Sequence, residues 1–273
     1  MLYKVNTDCI LCSYQNPKAT ATAVIIKDQS VLVLLRNTEP FKGMWDFPGG
    51  YMNKDETPEE TVKREVKEEL GVDCTTTFIK TFEGYAYYKD YVFPVISHTF
   101  LVDIKGDIRL DTDENSEYRW IPLSEINDVA YDSNQKTLSF IKEKFMYNLD
   151  NVKDLISQLD SSAVFNEQAF YKALLEGHIS TVVENGKLLG MGWLFPRQTL
   201  LRRQAVVEDM IVDEEHRGKG YGEKILRDLI AWGKEVGMDT IELTTNPKRE
   251  AANSLYKKVG FWLHETNHYL LKL

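Results

Sequence analysis

The chain has 273 residues, enough for two domains that each bury a core. Hydrophobic residues make up 43% and charged residues 27%, and the formal net charge of −9 disfavours a broad nucleic-acid surface or an anionic membrane surface. No apolar stretch reaches the ~20 residues of a membrane-spanning helix, and the start lacks the pattern of a signal peptide. Three cysteines do not make a disulfide framework, so we expect a cytoplasmic protein. The acidic charge and the lack of a spanning segment lead us to expect no membrane partner.

Cys9 and Cys12 form a single CxxC pair near the start of the chain. A tetrahedral zinc site needs four ligands, and Cys74 is the only other thiol. The sequence leaves open whether this pair binds a metal or is only structural.

Residues 21–27 and 30–36 are apolar runs that predict two strands. Arg36 ends the second strand, where it either contacts a substrate phosphate or pairs with a surface carboxylate. In the loop that follows, we expect Trp45 and Phe47 to pack in the core rather than to stack on a nucleobase.

Residues 50–72, GYMNKDETPEETVKREVKEELGV, contain a helix that we predict from Pro58 to Leu70. Thr57 is a suitable N-cap, and Gly71 suits the left-handed position just past the helix end. The apolar stripe of this helix consists of Val62, Val66 and Leu70. A stripe of this kind packs on a core, so the helix face beside it lines the rim of a cleft.

Three carboxylates lie on that neighbouring face, because Glu65, Glu68 and Glu69 are offset by zero, three and four residues. Like charges at this spacing cost ~0.2–0.5 kcal/mol per pair on an exposed helix, and more where they are partly buried. A hard divalent cation with oxygen ligands relieves that repulsion, so the pattern predicts a site for Mg²⁺ or Mn²⁺.

The fixed residues of this segment, from Gly50 through Arg64-Glu65 and Glu68-Glu69 to Gly71, resemble the Nudix box. The resemblance implies an α/β fold over residues 1–147, an α/β/α sandwich with a mixed sheet. It also implies hydrolysis of the pyrophosphate bond in a nucleoside diphosphate that is linked to another group. The run 9–21 is similar to the tail of a zinc ribbon that precedes some Nudix domains.

The same resemblance implies the roles of individual residues. Glu65 is the expected general base, and Arg64 and Glu56 are expected to orient it. The expected metal ligands are the carbonyl oxygen of Gly49 and the carboxylates of Glu65, Glu68 and Glu69.

Beyond the box, strands are predicted over 81–104 and 118–123, followed by a helix that begins near Ser124 and a closing helix over 129–145. Nudix enzymes often take a further metal-binding carboxylate from outside the box. Glu114 and Glu117 are candidates, with plain solvation as the alternative for both.

A second domain, 148–273, begins with helical patterns and a predicted hairpin at Asn185-Gly186. A strand over 204–213 then leads into the glycine-rich turn RGKGYG, residues 217–222, and an amphipathic helix. Glycines let the backbone approach a ligand closely, and the amides at a helix start form an anion site. Taken alone, the turn predicts either a pyrophosphate ligand or a purely structural role.

This turn, with its preceding strand and the later segment TIELTTNPKREAANSLYKKVGF, resembles the acetyl-coenzyme A site of the GNAT acyltransferases, most strongly over residues 206–262. The resemblance implies a split mixed β-sheet flanked by helices, with acetyl-coenzyme A between two parted strands. The implied cofactor contacts are Val212, Arg217, Gly218, Lys219, Gly220, Tyr221, Gly222 and Asn253.

The GNAT resemblance also implies catalytic roles. Tyr256 is the usual general acid for the departing thiolate, although it packs on its helix in the alternative interpretation. Glu208 either deprotonates the acceptor amine through water or forms a salt bridge.

The sequence as a whole therefore predicts a bifunctional enzyme. One domain hydrolyses a nucleotide-derived small molecule, and the other acetylates a primary amine on a small molecule or peptide. In an alternative from a different class, one domain is catalytically silent and acts as a ligand-sensing regulatory module for the other.

Overall fold

The structure is a computed structural model that describes residues 16–88 and 91–271. The chain divides into two compact units, Met1–Tyr147 and Asn148–Leu273. Each unit has its own sheet system and its own cluster of buried apolar side chains.

The first unit contains eight described strands and two helices. The strands are β1 (Lys18–Val24), β2 (Ile26–Lys27), β3 (Ser30–Arg36), β4 (Trp45–Asp46), β5 (Gly49–Tyr51), β6 (Asp73–Tyr88), β7 (Tyr91–Lys105) and β8 (Asn115–Pro122), and the helices are α1 (Pro58–Leu70) and α2 (Asp132–Phe145). One sheet has the order β5-β1-β7-β6, with β1 and β7 parallel and the other pairs antiparallel. A second sheet joins β2, β3 and β4, with β8 also paired to β3.

Helices α1 and α2 cover opposite faces of the first sheet. Ala21 and Ala23 of β1 belong to the apolar core against α1. Side chains alternate along a strand, so Thr22 faces the other way, and its hydroxyl donates to Asn134 Oδ1 of α2 at 3.0 Å. The first unit is therefore an α/β/α sandwich with a mixed sheet, as predicted.

The prediction of a helix that begins near Ser124 is wrong. The amides of Glu125 and Ile126 both donate to the carbonyl oxygen of Pro122, at 2.9 and 3.1 Å, and this single turn does not continue as a helix. Asn127 Nδ2 donates to the carbonyl of Glu125 at 3.0 Å, a local bond of the kind that competes with helix formation. Helix α2 begins only at Asp132.

The second unit has one described sheet with the order β12-β11-β10-β9, in which only the β11–β12 pair is parallel. Its strands are β9 (His178–Glu184), β10 (Lys187–Gln198), β11 (Arg203–Val212) and β12 (Thr240–Leu243), and its α-helices are α3 (Leu149–Leu159), α4 (Glu167–Glu176), α5 (Tyr221–Glu235) and α6 (Glu250–Val259). Helix α5 buries Ile225, Leu226 and Leu229 in the core beside the sheet. A mixed sheet flanked by helices is therefore confirmed for this unit as well.

The predicted hairpin at Asn185-Gly186 is confirmed. Both residues have positive φ, 51° and 77°, between β9 and β10. This is the backbone that a two-residue hairpin turn requires, and asparagine and glycine adopt it most readily.

Candidate active sites

Helix α1 is fixed at both ends by its own sequence. The Thr57 hydroxyl accepts a hydrogen bond from the Glu60 amide, and the Glu60 carboxylate accepts one from the Thr57 amide at 2.8 Å. Gly71 ends the helix with φ 69°, in the left-handed region. These caps and the buried stripe fix the helix so that its acidic face meets β5.

Glu69 is the most buried carboxylate on that face. Its Oε2 accepts a hydrogen bond from the Gly49 amide at 2.9 Å, and its Oε1 accepts one from Asn115 Nδ2 at 3.0 Å. Burial raises the pKa of Glu69 to about 8 despite these two donors, and the nearby charges of Glu65 and Asp46 act in the same direction.

Glu65 lies against the glycine pair of β5. A Cβ atom on Gly50 would stand 2.3 Å from Glu65 Oε1, so only glycine lets the carboxylate come this close to the strand. Gly49 has φ 147°, and a Cβ there would stand 2.2 Å from the carbonyl oxygen of Ala21. Burial raises the pKa of Glu65, and Arg64 opposes that shift.

Arg64 holds the carboxylates in place. Its Nε donates to Glu56 at 2.6 Å, and its Nη1 donates to both Glu65 and Glu68 at 2.8 Å. Its Nη2 donates to the carbonyl of Tyr51 at 3.0 Å. The Arg64 guanidinium keeps the pKa of Glu56 well below its usual range, so the pair stays charged and can orient Glu65.

The donor chemistry of this face fits a hard divalent cation. Glu65 and Glu69 are partly buried carboxylates that repel each other, since the charge of Glu65 raises the pKa of Glu69. Glu68 is more exposed, with 57% of its side chain accessible to solvent, and the three carboxylates do not all lie within 4.8 Å of one another. Oxygen ligands of this kind suit Mg²⁺ or Mn²⁺, and Arg64 holds the carboxylates of both Glu65 and Glu68.

The two candidates for a further carboxylate differ in their surroundings. Glu117 is 45% exposed and accepts a hydrogen bond from Arg119 at 2.7 Å. Glu114 lies within electrostatic reach of Glu65, because its charge contributes to raising the pKa of Glu65. Glu114 is therefore the one that interacts with the acidic face.

Arg36 pairs with a buried carboxylate, not with the surface carboxylate considered in the sequence. Its Nη1 lies 3.8 Å from Asp46 Oδ2, and its guanidinium lies over the ring of Tyr131 at 5.1 Å from the centroid. Phe47 is buried in the core and Trp45 is half-buried. Arg36 and Phe47 also line a cleft beside Gly49 and Gly50.

Three polar residues at this site had no signal in the sequence. Asn115 binds Glu69, and Asp46 accepts a hydrogen bond from Asn134 Nδ2 at 2.6 Å. Burial raises the pKa of Asp46 to about 7, against the opposing effects of Asn134 and Arg36. Long-range pairing brings Asn115 here, opposite Arg36 in the β3–β8 register, so no local motif marks it.

The second unit contains a gap between two strands. Strands β11 and β12 pair only from Gln204↔Thr240 to Val207↔Leu243. Strand β11 continues to Val212 and has no strand partner on that edge within 16–88 and 91–271. The sheet is therefore split as expected, with Glu208 as the first residue beyond the last pair.

The glycine-rich turn stands at the end of β11. Gly218 and Gly220 have φ 78° and 85°, and a Cβ on either would meet no heavy atom within 4 Å. Arg217 Nε donates to the carbonyl of Val212 at 3.1 Å, which ties the turn to the strand. Helix α5 begins at Tyr221, so its free amides form an anion site at an open surface.

The other predicted cofactor contacts surround this turn. Lys219 is exposed, and the Tyr221 hydroxyl donates to the carboxylate of Glu184. Gly222 faces Leu255, whose Cδ2 would lie 3.1 Å from an added Cβ. The turn thus presents backbone amides and the Lys219 ammonium, while the Tyr221 hydroxyl is engaged elsewhere.

Asn253 and Tyr256 both lie on α6, as expected. Asn253 Nδ2 donates to the carbonyls of Asn246 and Arg249, at 3.2 and 3.0 Å, and so orders the loop before the helix. Burial raises the pKa of Tyr256, whose ring packs edge-on against Phe261 at 6.2 Å between centroids. A tyrosine hydroxyl is protonated at neutral pH, as a general acid requires, and the raised pKa extends that state to higher pH.

Glu208 is exposed at the mouth of the gap. Partial burial raises its pKa and the neighbouring charge of Asp209 adds to the shift, while His268 opposes it; a raised pKa makes the carboxylate a stronger base. Among the described residues it has no ion-pair partner within 4.0 Å, so the salt-bridge alternative has no support there.

A separate group of metal-ligand side chains lies before the turn. Asp213, Glu215 and His216 are the one group of three in the described parts of the chain whose ligand atoms all lie within 4.8 Å. Asp213 already interacts with His216 Nδ1 at 2.7 Å, Gln158 Nε2 at 3.2 Å and Lys187 Nζ at 3.5 Å. These contacts satisfy the carboxylate, so we assign the group to holding the turn rather than to a metal.

Cys9 and Cys12 lie outside the described residues. Cys74 is a half-buried free thiol, and burial raises its pKa. None of the helices described is long and apolar enough to cross a membrane.

Comparison with known proteins identifies relatives of both units. A family model for the NUDIX domain matches residues 16–146, and a model for the acetyltransferase (GNAT) family matches residues 145–261. An ADP-ribose pyrophosphatase of Methanocaldococcus jannaschii is 30% identical over 133 residues, which cover 48% of this chain and 77% of that protein. An uncharacterized N-acetyltransferase of Bacillus subtilis, YobR, is 39% identical over 66 residues, 24% of this chain and 27% of that relative. The solved MutT NUDIX hydrolase from Burkholderia pseudomallei is 23% identical, with a TM-score of 0.41 over 45% of this chain and 97% of that one.

Proposed function

The chain belongs to the Nudix hydrolase family through its first domain and carries a GNAT acetyltransferase domain in its second, and from this premise we propose two activities. The first domain hydrolyses the pyrophosphate bond of a nucleoside diphosphate linked to another group, with Mg²⁺ or Mn²⁺. The second transfers an acetyl group from acetyl-coenzyme A to a primary amine. We assign residues 1–147 to the hydrolase and 148–273 to the acetyltransferase.

The acidic face of α1 carries the proposal for the hydrolase. Glu65 and Glu69 are both drawn into the protein beside Gly49 and Gly50, where burial raises the pKa of each. Carboxylates that are only solvated do not need a glycine pair to admit them. Their placement supports a site that is built to hold a cation and a diphosphate.

The residues of this site have distinct tasks in the proposed reaction. Glu65 accepts a proton from the water that attacks one phosphorus, and Arg64 holds Glu65 through the 2.8 Å hydrogen bond. The bridging P–O bond breaks, and the products are a nucleoside monophosphate and the phosphate of the linked group. A divalent cation bound by Gly49, Glu65, Glu68 and Glu69 would neutralise phosphate charge and lower the pKa of water.

For the substrate of the first domain we favour ADP-ribose-like compounds. The relative that supports this choice is described as an ADP-ribose pyrophosphatase, and the present chain covers 77% of its length. The aromatic and polar cleft beside Gly49 and Gly50 offers room for the part of the substrate beyond the diphosphate.

Product analysis tests the hydrolase. The purified chain with Mg²⁺ is given ADP-ribose, NADH, nucleotide sugars, coenzyme A, dinucleoside polyphosphates and nucleoside triphosphates. We expect one preferred class, with a nucleoside monophosphate among its products. If the folded protein turns over none of them, the first domain is the ligand-sensing module of the alternative interpretation.

The split of the second sheet carries the proposal for the acetyltransferase. Strand β11 loses its partner after Val207, and the open turn at Gly218 and Gly220 lies at the end of that same strand. We propose that the pantetheine arm enters this gap and that the pyrophosphate binds the turn. Tyr256 then protonates the thiolate, and Glu208 removes a proton from the amine.

Calorimetry tests the second activity. We expect the chain to bind acetyl-coenzyme A at micromolar concentration, and desulfo-coenzyme A to compete for the same site. The absence of binding at millimolar acetyl-coenzyme A would overturn the assignment of this domain.

A further inference from the structure

The cleft beside Gly49 and Gly50 has a polar floor whose side chains are fixed by hydrogen bonds to one another. Thr22 Oγ1 lies 2.8 Å from Ser97 Oγ and donates to Asn134 Oδ1 at 3.0 Å. Asn134 Nδ2 in turn donates to Asp46 Oδ1 at 2.6 Å. All four side chains are buried, so neither the amide nor the carboxylate can turn freely.

The two oxygens of Asp46 differ in their partners. Oδ1 accepts hydrogen bonds from Asn134 Nδ2 and from the Phe47 amide at 3.0 Å. Oδ2 lies 3.8 Å from Arg36 Nη1, longer than a hydrogen bond, and receives no donor from the described residues. Because Asp46 lines the cleft, a buried acceptor with capacity to spare is available to whatever occupies it.

Arg36 and Tyr131, which line the cleft, are held in place by their contacts. The Arg36 guanidinium lies over the Tyr131 ring at 5.1 Å, and its Nε donates to the carbonyl of Pro40 at 3.0 Å. Phe41 packs edge-on to Tyr131, with 4.9 Å between ring centroids. A guanidinium and aromatic wall of this kind suits a planar ring.

A wall that suits a planar ring and a nearby hydrogen-bond acceptor together match the nucleobase end of the substrate. The diphosphate belongs near Gly49 and the acidic face, because a divalent cation held there would attract it, whereas the carboxylate of Asp46 would repel phosphate oxygens. We propose that Asp46 selects the base of the hydrolysed nucleotide, with Oδ2 accepting a hydrogen bond from an exocyclic amino group such as that of adenine. The assignment rests on the proposed hydrolase function of this domain.

Asp46→Asn tests the contact with little change of shape. The side-chain oxygen of asparagine keeps the bonds from Asn134 and the Phe47 amide, and an NH₂ group replaces Oδ2. Assays run at pH 8.5, where Asp46 is ionised, because burial raises the pKa of this carboxyl only to about 7. The exposed Asp55, changed to Asn, serves as the matched control.

The readout is a ratio between two substrates that differ only in the base. ADP-ribose carries the amino group, and its hypoxanthine counterpart carries an oxo group at the same position. We expect the wild type to prefer the adenine form and Asp46→Asn to lower that preference at least ~10-fold, mainly through KM. The ratio cancels any change in the shared hydrolytic step, including an altered charge at Glu69.

Two outcomes would overturn the assignment. An equal preference in wild type and Asp46→Asn would remove Asp46 from base recognition. A changed preference between ADP-ribose and ADP-glucose, with the base preference unaltered, would assign Oδ2 to a sugar hydroxyl. The same ratios measured as calorimetric Kd test the contact even if hydrolysis fails, so failure of the proposed reaction stays distinguishable from failure of this contact.

Discussion

The two candidate sites are held together by different parts of the chain. In the first domain, partly buried side chains determine the arrangement of the site, since Glu69 binds the Gly49 amide and Asn115 at 2.9 and 3.0 Å. In the second domain, the backbone determines the arrangement, through positive φ at Gly218 and Gly220 and the loss of strand pairing along β11.

This difference determines which substitutions matter. The first site is close-packed around its acids, so an added methyl group displaces a carboxylate. The second site is open at Gly218 and Gly220, so a methyl group added there meets nothing and acts only through backbone strain. The predictions below test that contrast, from the largest expected effect to the smallest.

Gly50→Ala should have the largest effect. The new Cβ would stand 2.3 Å from Glu65 Oε1 and must push the carboxylate away. We expect kcat/KM for hydrolysis to fall by roughly 10³-fold, because both the base and a cation ligand are displaced. Steady-state kinetics on the preferred substrate measures it.

Gly222→Ala is the comparison in the second domain. Its Cβ would lie 3.1 Å from the flexible end of Leu255, which can shift. We expect hydrolysis to be unchanged and acetyl transfer to fall less than about threefold. Equal losses in the two variants would contradict the proposed difference in packing.

Tyr256→Phe should come next. The hydroxyl is kept protonated by burial, which raises its pKa, and phenylalanine preserves the packing against Phe261. We expect the rate of acetyl transfer to fall by roughly 10²-fold while acetyl-coenzyme A binding changes less than about threefold. An unchanged rate would mean that Tyr256 only packs the helix.

Gly220→Ala should have a smaller effect. Its φ of 85° costs a non-glycine residue ~1–2 kcal/mol, so the turn relaxes and we expect acetyl-coenzyme A to bind roughly 10-fold more weakly. Gly237→Ala is the matched control, because Gly237 has φ 74° just past the opposite end of α5, away from the turn. Calorimetry should show weaker binding in Gly220→Ala alone, and a similar loss in both variants would contradict a local role.

The last prediction is a pH dependence of stability in the first domain, measured as a change in the free energy of unfolding and not in rate or affinity. Burial raises the pKa of Glu69 from 4.5 to about 8 and that of Asp46 from 3.8 to about 7. The stability that a raised carboxyl pKa contributes is fully present below the unfolded value, and it is lost as pH rises through about 8. The slope is at most ~1.4 kcal/mol per pH unit and group.

Hydrogen exchange of the α1 amides without metal measures this slope between pH 5 and 8, after correction for intrinsic exchange rates. Glu56 and Glu60 have lowered pKa values, through Arg64 and the Thr57 amide, and their contribution is already complete below this window. Mg²⁺ should flatten the slope by binding the ionised form of Glu69. Stability that rises across the window would contradict the account.

The sequence correctly predicted the features that depend on neighbouring residues, such as helix ends and a hairpin turn. Helix α1 with its Thr57 cap and Gly71 end follows from spacing alone, and so does the hairpin at Asn185-Gly186. These features depend on the conformational preferences of a few neighbouring residues. The two family resemblances added the sheet architectures, which local patterns do not contain.

Long-range contacts were missed for the same reason. Asn115 reaches Glu69 only because β8 pairs with β3, and Asp46 meets Asn134 across 88 positions of the chain. The helix expected near Ser124 failed because a local hydrogen bond from Asn127 competes with it. Glu65 and Tyr256 lie on the helices in which the sequence placed them, and the catalytic roles of both residues stay predictions.

The most direct test of two separate sites in one chain compares both activities in wild type and Glu65→Gln, in the same preparations. We predict that Glu65→Gln lowers the rate of hydrolysis with Mg²⁺ by roughly 10³-fold and leaves acetyl transfer unchanged. Glu59→Gln, on the exposed side of the same helix, should alter neither. Hydrolysis that continues at the wild-type rate in Glu65→Gln would contradict the account.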